Sequence, residues 1–303
     1  MTKSFLQTQD WLDFQKHIGR KTWRFDDGKI MANIIQHDLP FGKNYLYIPH
    51  GPEISFDEIS GGLKNELSQF VVYLKNLARE EKSIYVKIEP LDDKVIEFLH
   101  SFGFKKSSKE IQPHHSVVID LDKSEEELLV AMHHKTRYNI KVAEKASLTF
   151  TVGNDMDAFW KLLKHTAKNN NFSTHPKEYY KKLCSTPGLM VEMVFIKHEG
   201  VLIAGALLLA YGDTVYYLHG AMDRDLKYKP MMAPYKLHWE VMKWAKGYGM
   251  KHYDLWGTNA TKWPGVTRFK LGWGGREVEY PGSFDLPVSK TWYFIYKIAR
   301  KVF

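Results

Sequence analysis

The spacing of apolar residues along the chain switches repeatedly between a period near two and a period near 3.6, and the switches define a repeated unit. Trp11 to Ile18 carries the stripe of an amphipathic helix. Asp27-Gly28-Lys29 is an acidic-glycine turn, Ile30 to Asp38 reads as a strand, and a further strand ends in Tyr47-Ile48-Pro49-His50-Gly51. Leu63, Leu67, Phe70, Leu74 and Leu77 then share one face of a helix over about Gly62 to Glu80, followed by the strand-like Ser83 to Ile88. The same order returns later. A helix over Met156 to Ala167 precedes Glu199-Gly200-Val201, a strand over Leu202 to Tyr211, and a strand ending in Tyr217-Leu218-His219-Gly220. A helix over about Ala233 to Tyr248 follows, with Leu237, Val241, Trp244 and Ala245 on one face, and then the strand His252 to Leu255. From Gly51 to Tyr85 is 34 positions and from Gly220 to Tyr253 is 33, so the copies agree in spacing as well as in order.

The pattern predicts an α+β fold of two layered domains, each with strands backed by helices. We place the first over residues 1–145 and the second over 146–287, with a C-terminal helix over 288–303 returning to complete the first. Between the copies lies a charged helical stretch, Ser124 to Lys145, in which Ser124 and Glu127 stand in capping-box register. The tail is basic, aromatic and amphipathic, which suits packing on the first domain or contact with a membrane surface.

Composition narrows the setting. The chain has 303 residues, 44% of them hydrophobic, and a formal net charge of +8, enough apolar material for two cores and a weak preference for phosphate-bearing partners. Cys184 is the single cysteine, which excludes an intramolecular disulfide framework and suits a reducing cytoplasm. The segment Met1 to Phe14 has no continuous apolar core of a secretory signal, and no run is long enough for a membrane span.

The order of strands, helix and strand is similar to the fold of the GCN5-related N-acetyltransferases (GNAT). The loops at Pro52 to Gly62 and Ala221 to Ala233 lack that family's glycine-containing pyrophosphate motif, which argues for a donor other than acetyl-CoA. Ile111-Gln112-Pro113, Asp120-Leu121, Ser124-Glu125-Glu126-Glu127-Leu128-Leu129, Lys135-Thr136-Arg137-Tyr138-Asn139-Ile140, Tyr253-Asp254-Leu255-Trp256-Gly257 and Phe269-Lys270-Leu271-Gly272-Trp273-Gly274-Gly275 occur in this order. Together with Tyr47-Ile48-Pro49-His50-Gly51-Pro52, they resemble the Fem family of peptidoglycan interpeptide-bridge aminoacyltransferases. The resemblance implies tandem acetyltransferase-like domains, no coiled-coil arm in this chain, and no bound cofactor. It also implies aminoacyl-tRNA as donor and the side-chain amine of the third residue of a muramyl pentapeptide as acceptor. That precursor would be UDP-linked or lipid II, with the enzyme in the cytoplasm and lipid II reached at the inner face of the membrane.

An amine attacking an ester must lose a proton, and the oxyanion it builds needs a cation or N–H donors. The family lysine matching Lys270 lies where donor and acceptor meet, so Lys270 is the candidate cation; alone it would read as a solvated strand lysine. Glu89, at a strand end, matches a family acid and is a candidate proton acceptor, against the plainer reading of an edge-strand carboxylate paired with a lysine. His175 and Tyr179 stand where the family offers an arginine and a tyrosine to a nucleotide diphosphate, so His175 is a departure. Tyr216 and Tyr217 follow each other on a strand, so one faces the cleft and the other packs in the sheet. Arg268 and Phe269 flank Lys270 as further substrate contacts. Lys135, Arg137 and Lys141 would track tRNA or lipid phosphates, or form a solvated face. His114-His115 and His133-His134 lack the further ligands of a zinc site, so no metal is expected. A Cys184 nucleophile is set aside in favour of a buried thiol.

Overall fold

The computed structural model describes residues 3–55, 63–170, 173–223 and 225–302, and the chain divides into two compact units, Met1–His114 with Tyr280–Phe303, and His115–Glu279. The first begins with α1 (Gln9–His17), whose N-cap Thr8 accepts a hydrogen bond from the Trp11 N–H. There follow β1 (Thr22–Asp26), β2 (Ile30–Leu39), β3 (Lys43–Pro49), β4 (Glu53–Ile54), α2 (Leu63–Glu80), β5 (Tyr85–Glu89), α3 (Ile96–Ser101) and β6 (Lys105–Lys106). The second unit holds β7 (His115–Asp120), α4 (Glu125–Ala131), α5 (His134–Lys145), β8 (Leu148–Gly153), α6 (Met156–Asn170), α7 (Lys177–Ser185), β9 (Met190–His198), β10 (Val201–Tyr211) and β11 (Thr214–Met222). It closes with α8 (Ala233–Gly247), β12 (His252–Asp254), α9 (Pro264–Leu271) and β13 (Arg276–Glu279). The chain then returns to the first unit as β14 (Phe284–Pro287) and α10 (Lys290–Val302).

The two sheets have the same internal plan. The first runs β1-β2-β3-β5-β14-β6, with β4 on β2; the second runs β13-β7-β12-β11-β10-β9-β8. In each, one parallel pair, β3 with β5 and β11 with β12, sits among antiparallel neighbours. Parallel strands require a crossover, supplied by α2 and α8. Leu67, Phe70 and Leu74 of α2 bury against Ile34, Ile48, Val86 and Ile88, while Leu237, Val241 and Ala245 of α8 belong to a cluster with Ile196, Ala204 and Val215.

The unit boundary corrects the one read from sequence. Residues 115–145 were assigned to the first domain, yet β7 pairs with β12 and β13 of the second sheet, and α4 and α5 follow it. Residues Tyr280–Pro287 were assigned to the second domain, yet β14 pairs with β5 and β6. The sheets have exchanged equivalent strands: the place between β5 and β6 is filled by β14, and the place between β12 and β13 by β7. Backbone ladders decide membership here, and they are set at long range, beyond the reach of a local repeat. The stretch Ser124–Lys145 is two helices; Ser124 closes the capping box with Glu127, and Met132-His133 break the pair.

No described helix is long and apolar enough to cross a membrane, and α2, with 18 residues, is the longest of the described helices. Of the loop over residues 52–62, residues 56–62 lie outside the described ones.

Candidate active site

Pro264 starts α9 at a position where a missing N–H costs nothing, so Lys270 is a helical residue and not the strand lysine of the plainer reading. Only 8% of Lys270 is exposed. Its Nζ donates to the carbonyls of Trp256 and, at 2.8 Å, of Gly257. Both residues have left-handed backbone, φ 51° and 43°, a conformation unusual for tryptophan. The loop is held from beneath by Asp254 at the end of β12, which accepts from the Trp256 N–H at 2.7 Å and from the Ser116 hydroxyl of β7. Burial pulls the Lys270 pKa down to about 8, with Asp254 opposing the fall. Burial also raises Asp254.

Apart from Asp254 beneath the loop, the side chains described beside this ammonium are neutral. The Tyr217 ring lies 5.8 Å from Nζ, and burial lifts its phenol to about 12. His238, buried on α8, meets the Tyr253 hydroxyl at 2.8 Å and the Tyr217 ring edge at 4.6 Å. Burial, then Lys270, lowers His238 to about 3, so it carries no charge near neutrality. An ammonium has three N–H donors, and the two carbonyls account for two of them. A cation so placed, among neutral aromatics and little water, is worth more to a developing oxyanion than one in solvent.

Tyr216 and Tyr217 part as strand geometry requires: Tyr216 lies edge-on to Trp256 at 5.6 Å, and Tyr217 faces Lys270. A bulge at Leu218, opposite the Leu207/Leu208 step of β10, lets β11 turn so that the Tyr217 hydroxyl lies against Gly220. A Cβ on Gly220 would fall 1.5 Å from that hydroxyl, so any other residue there must displace the Tyr217 ring. His175 and Tyr179 are brought together, their rings stacked at 3.9 Å and 17°, with His219 6.4 Å from His175. Burial, then His175, lowers His219 to about 4. Lys177, the nearby cation, is paired with Asp157.

Glu89 lies in the first unit. It is buried at the end of β5, a strand flanked on both sides by β3 and β14 and so not at the sheet edge. Oε2 accepts from the Tyr47 hydroxyl at 2.5 Å and the Gln112 N–H at 2.9 Å; Oε1 accepts from the Ile111 N–H at 2.6 Å. Burial raises its pKa against these donors. The carboxylate thus ties residues 111–112 to β5, beside a pocket lined by His50, Glu110, Pro113 and Tyr280. Lys87, two residues back on the same strand, is paired with Asp285 and not with Glu89.

Of the other sequence candidates, some are committed to structural contacts and others are exposed. Phe269 stacks edge-on to Tyr235 at 5.2 Å and Trp273 at 6.0 Å, within the second core. Arg268 is exposed, on the side of α9 away from Lys270. Arg137 donates to the carbonyls of Leu129 at 3.3 Å and Met132, capping the end of α4, whereas Lys135 and Lys141 are exposed. His133 Nδ1 caps α5 by accepting from the Lys135 N–H at 3.3 Å, its ring 4.2 Å from that of His134. His114 pairs with Glu110 at 2.7 Å. Burial pushes the Cys184 thiol up to about 11, away from the thiolate. Sequence reasoning passed over His238 and Tyr47. For His238 the signal was a polar residue beside Leu237 on the buried face of α8; for Tyr47 it was a phenol on the strand paired with β5.

Two sheets of this plan give the chain the tandem acetyltransferase-like (GNAT) fold. A tandem GNAT protein from the clavulanic acid biosynthesis pathway superposes with TM-score 0.58 at 10% identity, covering 92% of this chain and 94% of its own. The crystal structure of FemX superposes with TM-score 0.81 at 21% identity, covering 96% and 94%. The sequence profile of the FemAB family matches residues 94–196 and 188–301, and the chain belongs to that family. Lipid II:glycine glycyltransferase of Staphylococcus epidermidis is 23% identical over 98% of this chain and 90% of its own length, and that of Staphylococcus aureus 22% over 95% and 89%. The S. epidermidis alignment is 385 positions long, so roughly 90 of them have no residue of this chain, 98% of which is about 297 residues.

Proposed function

We propose that the chain is a peptidoglycan bridge aminoacyltransferase, moving an amino acid from aminoacyl-tRNA to the side-chain amine of the third residue of a muramyl pentapeptide, UDP-linked or carried by lipid II. Membership of the FemAB family and relatives named lipid II:glycine glycyltransferase support the acceptor class. The observation that carries the chemistry is the buried Lys270 ammonium, held by two loop carbonyls beside Tyr217. In this reading the acceptor amine attacks the ester carbonyl, a C–N bond forms and the C–O bond to the tRNA ribose breaks. The amine proton passes to the departing ribose oxygen, and Lys270 stabilises the intervening oxyanion. Both oxygens of Glu89 are occupied by donors, which supports a positioning role for it and leaves substrate groups to relay the proton. The stacked His175 and Tyr179 would contact the acceptor diphosphate.

Purified protein given a mixture of charged tRNAs and the UDP-linked pentapeptide should yield, by mass spectrometry, a product heavier by one amino-acid residue. Product with lipid II alone would assign the lipid-linked acceptor. No product with either, together with product from acetyl-CoA and an unrelated amine, would replace this reading with that of another N-acyltransferase of the same fold.

A further inference from the structure

Helix α10 has two apolar faces; one packs on the first unit and the other is largely exposed. Inward, the Tyr293 hydroxyl donates to Asp285 at 2.9 Å, the rings of Tyr293 and Tyr296 lie 5.3 Å and 5.5 Å from Tyr85, and Arg300 donates to the Tyr296 oxygen at 3.0 Å. Outward, Trp292, Phe294, Ile295 and Ile298 are 44%, 65%, 45% and 49% exposed, and they share a stripe at helical spacing. At the β2–β3 turn, Phe41 is 96% exposed with φ 60°, a costly conformation for phenylalanine that aims a large apolar ring into solvent. Two residues on, Lys43 places its Nζ 4.0 Å from the centre of the Trp292 ring, which joins the turn to the helix. The sequence of α10 contains Lys290, Lys297, Arg300 and Lys301 and no acidic residue.

A preformed amphipathic helix with aromatic and aliphatic residues outward, lysines around them and no carboxylate has the makeup of an interfacial membrane helix. Its charge decides between occupants. Packing this face on a second copy would bring two sets of cations together, whereas anionic headgroups compensate them. We propose that α10 and the Phe41 turn form a docking face for an anionic lipid bilayer, which lays the first unit on the membrane with Phe294 and Ile298 in the headgroup boundary. The inference goes beyond the transfer reaction and rests on none of its residues.

Cosedimentation of the full chain with phosphatidylcholine vesicles, with and without phosphatidylglycerol, tests it. Partition to the mixed vesicles should exceed that to phosphatidylcholine about tenfold or more and weaken with added salt. F294E/I298E should lose about tenfold or more in partition at an unchanged melting temperature, and transfer to a soluble UDP-linked acceptor should persist. K290Q/K297Q, which leaves the apolar stripe intact, should lose the preference for phosphatidylglycerol. Absence of cosedimentation, or equal binding of wild type and F294E/I298E, overturns the proposal. So does a self-association in sedimentation velocity that F294E/I298E abolishes in a protein that ignores vesicles.

Discussion

Among the described residues, each unit buries one lysine, and the two are solved differently. Lys87, 2% exposed in β5 of the first unit, pairs with Asp285 at 2.7 Å and donates to Ser283 at 2.6 Å, Ser107 at 3.0 Å and the Lys109 carbonyl at 3.1 Å. Ser107 in turn donates to Asp285 at 2.8 Å. Lys270 of the second unit is almost as deeply buried, yet its direct partners are two neutral carbonyls, and the nearby Asp254 spends itself on Ser116 and Trp256. Lys87 is a compensated ion that joins β5 to β14. Lys270 is a cation kept short of a counter-charge, the state in which it can serve a charge that appears only during reaction.

The largest difference should appear in stability. Removing one member of a compensated buried pair leaves a bare charge, so Lys87→Met should cost about 3–5 kcal/mol in denaturant unfolding, and adding Asp285→Leu should recover much of it. Lys270→Met takes a donor from two neutral carbonyls while relieving the burial of a charge, so the two effects oppose and its stability should change by under about 2 kcal/mol. A loss at Lys270 as large as that at Lys87 would break the comparison.

Activity should show the reverse order. Lys270→Met should lower turnover about 100- to 1000-fold, the usual worth of an oxyanion partner, with substrate binding retained, whereas a folded Lys87 and Asp285 double variant should keep turnover within about tenfold of wild type. Lys270 titrates near 8 in the fold against an ordinary value of 10.5, so between those values the unfolded chain binds more protons. Its cost to stability is therefore present below about pH 8 and is relieved as the pH rises towards 10.5. The Lys270 cation is lost over the same rise, so if it stabilises the oxyanion as proposed, transfer should show a descending limb near pH 8, read as single-turnover rate against pH. Persistence of the rate to pH 10 would remove the cation from the mechanism.

Much of the fold was legible in the sequence alone. The repeat located β2, β3, α2 and β5 and their counterparts β10, β11, α8 and β12, because apolar periodicity is a local property of each element. The exchange of β7 and β14 was not legible: both are short strands of ordinary pattern, and their sheet is chosen by ladders formed across some 130 to 200 positions of sequence. Lys270 was singled out by its surroundings in sequence, but α9 was missed, since glycines on either side argue for a loop while Pro264 at the first turn argues for a helix. Phe269 was offered to substrate for its place beside Lys270, and Arg137 to phosphates as one of the basic residues of a charged helix, and each is committed to a neighbour that the linear order does not show.

The carboxylates beside the two lysines sharpen the comparison by a smaller amount. Glu89 and Asp254 are the last residues of the counterpart strands β5 and β12, and each accepts from backbone N–H, two at Glu89 and one at Asp254. Glu89→Gln would turn an NH2 towards one of three donors, costing about 1–3 kcal/mol of stability. As a positioning residue it should lower turnover by less than about tenfold; a loss near 1000-fold would restore it as the proton acceptor.

The smallest effect separates a helix cap from a phosphate contact. Arg137 spends its guanidinium on the last carbonyls of α4, whereas Lys135 and Lys141 on the same helix are exposed. Arg137→Ala should therefore cost about 1 kcal/mol in thermal unfolding, the worth of a cation at a helix C-terminus, and leave the KM for charged tRNA unchanged. Lys135→Gln with Lys141→Gln should do the opposite, leaving stability alone and raising that KM at low salt, with the difference closing as salt screens the phosphates. If Arg137→Ala alone raises the KM in a protein that melts normally, the guanidinium leaves its cap to meet the donor, and the line drawn here between compensated and available cations would have to move.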